Sequence, residues 1–414
     1  MLGLLGTIFV LGTGILIHEI GHFVAARRFG ILCHEFAIGM GPALYKKKVG
    51  ETVYSLRLIP VGGYVLMAGE ETEIDMLKKG QEISLSQNAS GLVDRIYLTP
   101  RTGETTGTVT SVDVYENLAL SLDVADGNPQ VFAIDPKAQY IHKDDTEQQV
   151  APRDRCLESK SKTARMIVLA AGAIMNFILA FVFVFIVGLF QGEPVMNGGL
   201  AEVVPDAPAY LAGLRTGDII IQYGDTSVEV GTDLIELIRS NEGPVEVTFS
   251  RDDVEHTVLL EPELDQGFAR IGVRPDVDTH FSLGYAWQWS VAQYRHFFGQ
   301  MLMTFEMLFV TREAGIGDLS GPVGIYSITA EVITHGIFPL LLLAGLINVN
   351  LGLLNLMPFP ALDGGRIIFI LVELIARKPV PRKFEGYVHM AGFLLFAGLM
   401  VFVLFNDISR MIGY

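Results

Sequence analysis

His18, Glu19 and His22 are the side chains of this sequence best suited to chemistry, and they stand where polar groups are costly. They lie within GILIHEIGHFVAARR, residues 14–28, a run otherwise apolar enough to cross a bilayer. On a helix, His18 and His22 project from one face, a turn apart. Two imidazoles so placed can share one divalent cation, and Glu19 beside them can take a proton from a water held at that cation. Ionisable groups inside hydrocarbon argue for a functional site with a partner elsewhere in the chain. Histidines that merely packed against a neighbouring helix would leave Glu19 unexplained.

A catalytic zinc takes three protein ligands, so two histidines are not enough. His18 lies ~25 Å along its helix at ~1.5 Å per residue, and the third ligand must come from another span at similar depth. NLMPFPALDGGR, residues 355–366, supplies the candidate. Pro358 and Pro360 forbid regular helix there, and Gly364 and Gly365 allow close backbone approach. Irregular backbone at membrane depth is tolerated where it lines a protein cavity. Asp363 is the one acid between Glu331 and Glu373 and is the expected ligand.

These residues must be positioned by a membrane protein. Half of the 414 residues are hydrophobic and the mean hydropathy is +0.40, too apolar for a soluble enzyme. Four stretches suit a bilayer of ~30 Å, which takes about 20 apolar residues. They run from Leu2 to about Ala26, from Met166 to Gln191, from Gly336 to about Met357, and from Met390 to Phe405. The polar triad in the first is foreign to a cleavable leader, so that span is expected to be retained. Arg27, Arg28, Lys46 to Lys48, Lys160, Lys162 and Arg165 flank the first two spans, and Arg366, Arg377, Lys378, Arg382 and Lys383 separate the last two. No lysine occurs between Lys162 and Lys378. The positive-inside rule then places both termini outside and the candidate site towards the cytoplasmic face. A net charge of −16 argues against nucleic acid as a partner. Cys33 and Cys156 fall on the reducing side, without metal-knuckle spacing, and are expected to be free thiols.

HEIGH in the first span and LDGG in a later one make the chain resemble the site-2 protease family of intramembrane zinc metalloproteases. The likeness is closer to the bacterial regulator-of-sigma proteases of the single-PDZ, Gram-positive type. It extends through FAIGMGP (36–42), IPVGGYVLMAGE (59–70), AGAIMNF (171–177) and LSGPVGI (319–325). Where the family usually has a proline in the third of these, this chain has Ala173. The resemblance implies that His18, His22 and Asp363 bind Zn2+, that Glu19 activates water, and that Asn355, Pro358 and Pro360 contact substrate. The implied substrates are membrane proteins with a single transmembrane segment, already trimmed outside, such as anti-sigma factors or signal-peptide remnants.

A peptide bond inside a helix must be unwound before it is cut, and the freed backbone groups then need partners. TVYSLRLIPVGGYVLMAGE (52–70) reads as two short β runs joined by Pro60-Val61-Gly62-Gly63, a hairpin able to enter the interface and offer an edge to a substrate strand. Gly62 and Gly63 are therefore counted with the substrate-binding residues. Residues 198–263 resemble a PDZ domain, with GD before an apolar strand and an amphipathic helix over TDLIELIR. Such a module captures peptide carboxyl termini or acts as a steric cap, and the sequence leaves both open. Trp287 and Trp289 open an interrupted apolar stretch that suits an interfacial helix.

The expected fold is a polytopic α-helical membrane protein with four transmembrane helices, a cytoplasmic β-rich loop domain and an extracytoplasmic PDZ domain. Its segments are a first span (1–29), a membrane-associated hairpin region (30–70), a cytoplasmic β-rich extension (71–160), a second span (161–192) and the PDZ domain (193–280). An interfacial helix and linker (281–330), a third span (331–362), a cytoplasmic LDGG segment and loop (363–389) and a fourth span (390–414) complete it. The reading that fits these features is an intramembrane zinc endopeptidase in the cell membrane. A catalytically inactive PDZ scaffold is the alternative, and Glu19 separates the two, since a scaffold has no use for a general base between metal ligands. A metal transporter would need further ligands along the spans, and the fourth has none.

Overall fold

The structure, a computed structural model, describes all residues except 70–75, 125–128, 231, 266–267, 314, 316, 318 and 413–414. The boundary expected at 70/71 lies outside the described residues. The helices are α1 (Leu2–Arg28), α2 (Lys162–Gln191), α3 (Pro208–Leu211), α4 (Leu234–Arg239), α5 (Leu283–Glu306), α6 (Pro322–Val332), α7 (Ile337–Leu356), α8 (Asp363–Ala376) and α9 (Arg382–Ile412). The chain divides into two compact units, one of residues Met1–Val184 with Tyr294–Tyr414 and one of Phe185–Gln293.

Four helical stretches among the described residues are long and apolar enough to cross a membrane: Leu2–Arg28, Lys162–Gln191, Ile337–Leu356 and Lys383–Arg410. Only 17% of the apolar window of the first and 11% of the last are buried inside the protein, so their remaining apolar surface is left for lipid. Small residues bring the helices together, as membrane packing favours. A Cβ on Gly21 of α1 would lie 2.4 Å from the Ala171 carbonyl of α2, and one on Gly14 would lie 2.9 Å from Asn348 Oδ1 of α7. Similar contacts join α1 to α6, where Gly3 meets Ala330, and α7 to α2, where Gly352 meets Phe177.

Two strands follow α1: β1 (Cys33–Val49) and β2 (Thr52–Met67). The turn between them is at Gly50, φ +64°, not at Pro60–Gly63 as the sequence suggests. Residues 35–38 are paired on both sides, by 53–56 along one edge and by 63–66 along the other. The two β runs expected to pair with each other thus flank a third. The segment from Ile59 to Gly63 carries the chain across. Residues 43–49 complete the sheet on the outer side of 52–57. Glu35 binds this sheet together, accepting from Ser55 Oγ (2.5 Å), Arg57 Nη2 (2.7 Å) and Tyr64 Oη (3.0 Å).

The next six strands are β3 (Glu82–Gln87), β4 (Val93–Tyr97), β5 (Thr105–Asp113), β6 (Ala119–Asp123), β7 (Pro129–Ile141) and β8 (Glu147–Gln149). Their order is β4-β3-β5-β6-β7-β8, and a parallel pairing of β4 with β7 closes five of them into a barrel. Ile83, Leu85, Val93, Ile96, Leu120 and Leu122 fill it, all at most 1% exposed. The barrel is an insertion whose ends meet. Ala68 N donates to Leu32 O (2.8 Å), Leu32 N to Arg155 O (2.9 Å) and Leu157 N to Ala68 O (2.9 Å). Glu51 in the turn after β1 takes both arms of the Arg155 guanidinium, at 2.7 and 2.8 Å.

The other unit holds β9 (Glu193–Val203), β10 (Ile219–Tyr223), β11 (Thr226–Ser227), β12 (Val245–Arg251), β13 (Val254–Leu260), β14 (Glu263–Asp265), β15 (Phe268–Arg270) and β16 (Val273–His280). Its main sheet runs β13-β12-β10-β9-β16, with β16 at an edge. Leu234 and Ile238 of α4 are buried in its core with Ile220, Val247 and Phe249. Asp218, 1% exposed, accepts from Arg251 Nε and Nη2, both at 2.7 Å.

From Tyr294 onward α5 belongs to the membrane unit. Its Tyr294 hydroxyl donates to the Phe177 carbonyl of α2 (3.0 Å), and buried Phe297 packs at Gly345 of α7. After α7 the chain turns into α8, a helix of 14 residues where the sequence suggests a loop. Glu373 of α8 is buried and accepts from Arg165 Nη1 (3.1 Å) and Val380 N (3.2 Å). At the far end of α9, buried Asp407 accepts from the Gly321 and Gly324 amides at 3.3 and 2.9 Å, meeting the otherwise open start of α6.

Candidate metal centre

α1 carries His18 and His22 on one face, and the α7–α8 turn delivers Asp363 to the same point. His18 Nε2 and His22 Nε2 are 3.1 Å apart, and Asp363 Oδ2 lies 3.2 Å from the first and 3.3 Å from the second. Both histidines are buried, at 9% and 6% exposed. Three donor atoms at such separations suit one small cation. Tetrahedral ligands about 2.0 Å from zinc stand about 3.3 Å from one another. Asp363 Oδ2 is buried without a hydrogen-bond partner, as expected of an oxygen reserved for an ion.

The outer ring nitrogens support the same assignment. His22 Nδ1 lies 2.8 Å from the Val168 carbonyl of α2, to which Nδ1–H can only donate, leaving the Nε2 lone pair facing Asp363. The side-chain amide of Asn176, also on α2, lies 3.3 Å from His18 Nδ1. Turned with its otherwise unpartnered oxygen towards the ring, that amide accepts Nδ1–H and frees His18 Nε2 in the same way.

Two glycines make room. A Cβ on Gly172 would fall 2.4 Å from His22 Nε2 and 2.7 Å from His18 Cε1, so α2 can cover the rings only with glycine at this position. Glu19 is half-buried, and a Cβ on Gly63 would lie 2.9 Å from its Cγ. The edge segment of β2 therefore runs directly beside the carboxylate.

The remaining candidates are spread along the α7–α8 turn. Asn355 is half-buried on the last turn of α7, Pro358 is exposed, and Pro360 is half-buried under Gly392 of α9. No hydrogen bond among the described residues ties Asn355 to the histidines or to Asp363. Gly364 and Gly365 close the turn: a Cβ on the first would lie 2.2 Å from the Met357 carbonyl, and on the second 2.4 Å from that of Phe359. Gly62 adopts φ +77° against the Met40 side chain. Gly172, Asn176 and the Val168 carbonyl carry no chemical motif of their own; the first two lie in AGAIMNF, a stretch notable only by resemblance.

Residues 6–399 match peptidase family M50. A protein named zinc metalloprotease RasP in Oceanobacillus iheyensis is 36% identical, covering 97% of this chain and 98% of that one. One of the same name in Geobacillus kaustophilus is 36% identical, covering 97% of each. The regulator of sigma-W protease RasP of Bacillus subtilis is 34% identical over 98% of this chain and 97% of its own length. Among solved structures, the PDZ domain of an SdrC-like protein from Listeria monocytogenes aligns with 20% of this chain and 87% of that one. It does so at 21% identity and a TM-score of 0.17, too low to support an argument about the fold.

Proposed function

The chain belongs to peptidase family M50 and is a zinc metalloprotease of the site-2 protease type, and on that premise we propose that it hydrolyses peptide bonds within membrane-spanning segments of other proteins. The observation that carries the reading is the convergence of His18 Nε2, His22 Nε2 and Asp363 Oδ2 on one point, at mutual distances of 3.1 to 3.3 Å. These three side chains hold the metal. A zinc ion held there supplies Lewis acidity to water and to the scissile carbonyl.

The protein's own groups do the rest. Glu19 accepts the proton of the attacking water and returns it to the departing amine. Val168 O and Asn176 keep the two imidazoles in the tautomer that presents Nε2 inward. The edge segment from Gly63 to Met67 pairs with one extended stretch of the substrate, whose unwound backbone otherwise lacks partners in hydrocarbon. Gly62, Asn355, Pro358 and Pro360 complete the binding surface. The substrates are membrane proteins with a single spanning segment, trimmed beforehand on the outer side, such as anti-sigma factors or signal-peptide remnants. The regulator of sigma-W protease supports the first class as a relative. The positive-inside rule sets the site towards the cytoplasmic face and the PDZ-type unit outside, where it takes peptide carboxyl termini or screens by size.

The test is purified full-length protein in liposomes with a trimmed single-span substrate, wild type against Glu19→Gln, with zinc measured in both. Cleavage by wild type alone, with zinc near one per chain in each, is the expected result. Equal cleavage by both proteins overturns the role of Glu19.

A further inference from the structure

We propose that His389 of α9 is a positioning residue for Asp363, acting through the backbone of Ala361. The proposal rests on the reading that His18, His22 and Asp363 hold zinc.

Asp363 is the first residue of α8, so its side chain is aimed by the turn before it. Within that turn Met357 N, Phe359 N and Leu362 N donate to the carbonyls of Leu354, Met357 and Phe359, and Gly365 N donates to Leu362 O. Pro358 and Pro360 have no N–H. Ala361 differs. Its backbone holds φ +80°, a left-handed conformation that alanine rarely adopts. Its N–H is donated outside the turn, to His389 Nδ1 at 3.1 Å. An uncommon conformation persists where its surroundings enforce it, and here the enforcing contact is an imidazole from another helix.

Packing orients the ring. A nitrogen that accepts carries no proton, so the hydrogen is on Nε2, which makes no hydrogen bond and faces Glu385 Oε1 at 3.7 Å, one helical turn earlier. The Phe369 ring of α8 is 5.5 Å away, so His389 also leans on the helix that Asp363 begins. One turn later, Gly392 sets the backbone of α9 against Pro360, where a Cβ would lie 2.4 Å from the proline Cβ. Glu385, His389 and Gly392 thus form a stripe that grips the α7–α8 turn two residues before the ligand. Among the described residues His389 makes no hydrogen bond or ion pair with His18, His22 or Asp363, and its influence on them passes through Ala361. Without the anchor, Ala361 relaxes towards negative φ and Asp363 Oδ2 leaves the position where it lies within 3.3 Å of both imidazoles.

Release of zinc to a colorimetric chelator from the purified full chain tests this, comparing wild type, His389→Leu, His389→Asn and Asp363→Ala. Outer contacts of metal ligands typically change affinity 10–100-fold, so His389→Leu is expected to release zinc about tenfold faster. An asparagine oxygen can occupy the place of Nδ1, so His389→Asn should stay within a few-fold of wild type. Amide exchange over residues 357–362 should rise in the leucine variant and not in the asparagine one. If His389→Leu does not fold, His389→Gln takes its place, because a glutamine oxygen falls at the Nε2 position and cannot reach Ala361. Wild-type release from the leucine or glutamine variant overturns the proposal, as does equal acceleration in the asparagine variant. Zinc retained by Asp363→Ala as by wild type overturns the metal reading itself, a different failure with a different signature.

Discussion

A methyl group at residue 172 has no room. It would press on both imidazoles at 2.4 to 2.8 Å, well inside contact distance, and the rings cannot retreat because His22 is tied to Val168 on the same helix. Gly172→Ala is therefore expected to drop zinc content well below one per chain. Gly398→Ala, whose Cβ meets nothing within 4 Å, should leave it unchanged. Elemental analysis of the two purified variants decides; full zinc in Gly172→Ala would contradict the packing described. At this scale the sequence was eloquent about His18, Glu19 and His22, because helical spacing alone puts the histidines on one face. It also offered Asp363, the one acid near a break at the right depth. Gly172 and Asn176 stayed silent. Their importance comes from which face of α2 meets α1, and a uniformly apolar span does not encode its own rotation.

Helices and strands were legible where composition is extreme and illegible where a short apolar run has two readings. The four helices long and apolar enough to cross a membrane needed only length and composition. The α8 segment, expected as a loop, is a helix of 14 residues whose buried acid, Glu373, finds Arg165 and the Val380 amide. The Pro60–Gly63 stretch looked like a hairpin turn, yet it is a crossover that sends β2 round to the second edge of residues 35–38. That edge brings Gly63 to Glu19, and a valine there would collide with Glu19 Cγ and with the Ala37 carbonyl, each 2.9 Å from the Cβ. Gly63→Val should therefore lower kcat at least tenfold while zinc content holds, since the nearest neighbours of a Cβ there include Glu19, the proposed base, and none of the proposed ligands. Lost zinc in this variant would place the damage elsewhere.

The turn after β1 offers a pH prediction. Hydrogen bonds from Arg155 hold the Glu51 carboxyl at about 2, against an ordinary value of 4.5, with burial opposing and Gln149 assisting. A lowered carboxylate stabilises the folded form fully above the ordinary value and loses that contribution as pH falls towards the folded one. Solvent screens this pair, which is 30% and 39% exposed, so the effect is local rather than global. Amide exchange at residues 49–52, corrected for its intrinsic pH dependence, should quicken between about pH 4.5 and pH 2. In Glu51→Gln that dependence should be absent. If it persists there, the Arg155 clamp is not its source.

For the whole molecule, the barrel is a body inserted into the membrane unit at two neighbouring points. Ala68 and Cys156 share one small cluster with Leu32, with Ala151 packed against it. Replacing residues 70–150 by a short glycine–serine linker should therefore preserve the metal site, because the ends it must join are already side by side. Zinc bound at one per chain by the excised protein is the expected measurement, and loss of the metal would make the barrel part of the site's support.

His18 and His22 belong to α1 and Asp363 opens α8, so the three proposed ligands emerge far apart in synthesis. At roughly 5–20 residues per second, a ribosome takes tens of seconds to pass from one to the other. Through that interval the proposed chelate is half finished, two imidazoles beside a carboxylate with no aspartate to complete it. With Asp363 as the third ligand, a chain that ends before it is expected to hold no zinc and to cut nothing. On the proposed ligand set, peptidase activity is expected only once α7 and the turn behind it have folded.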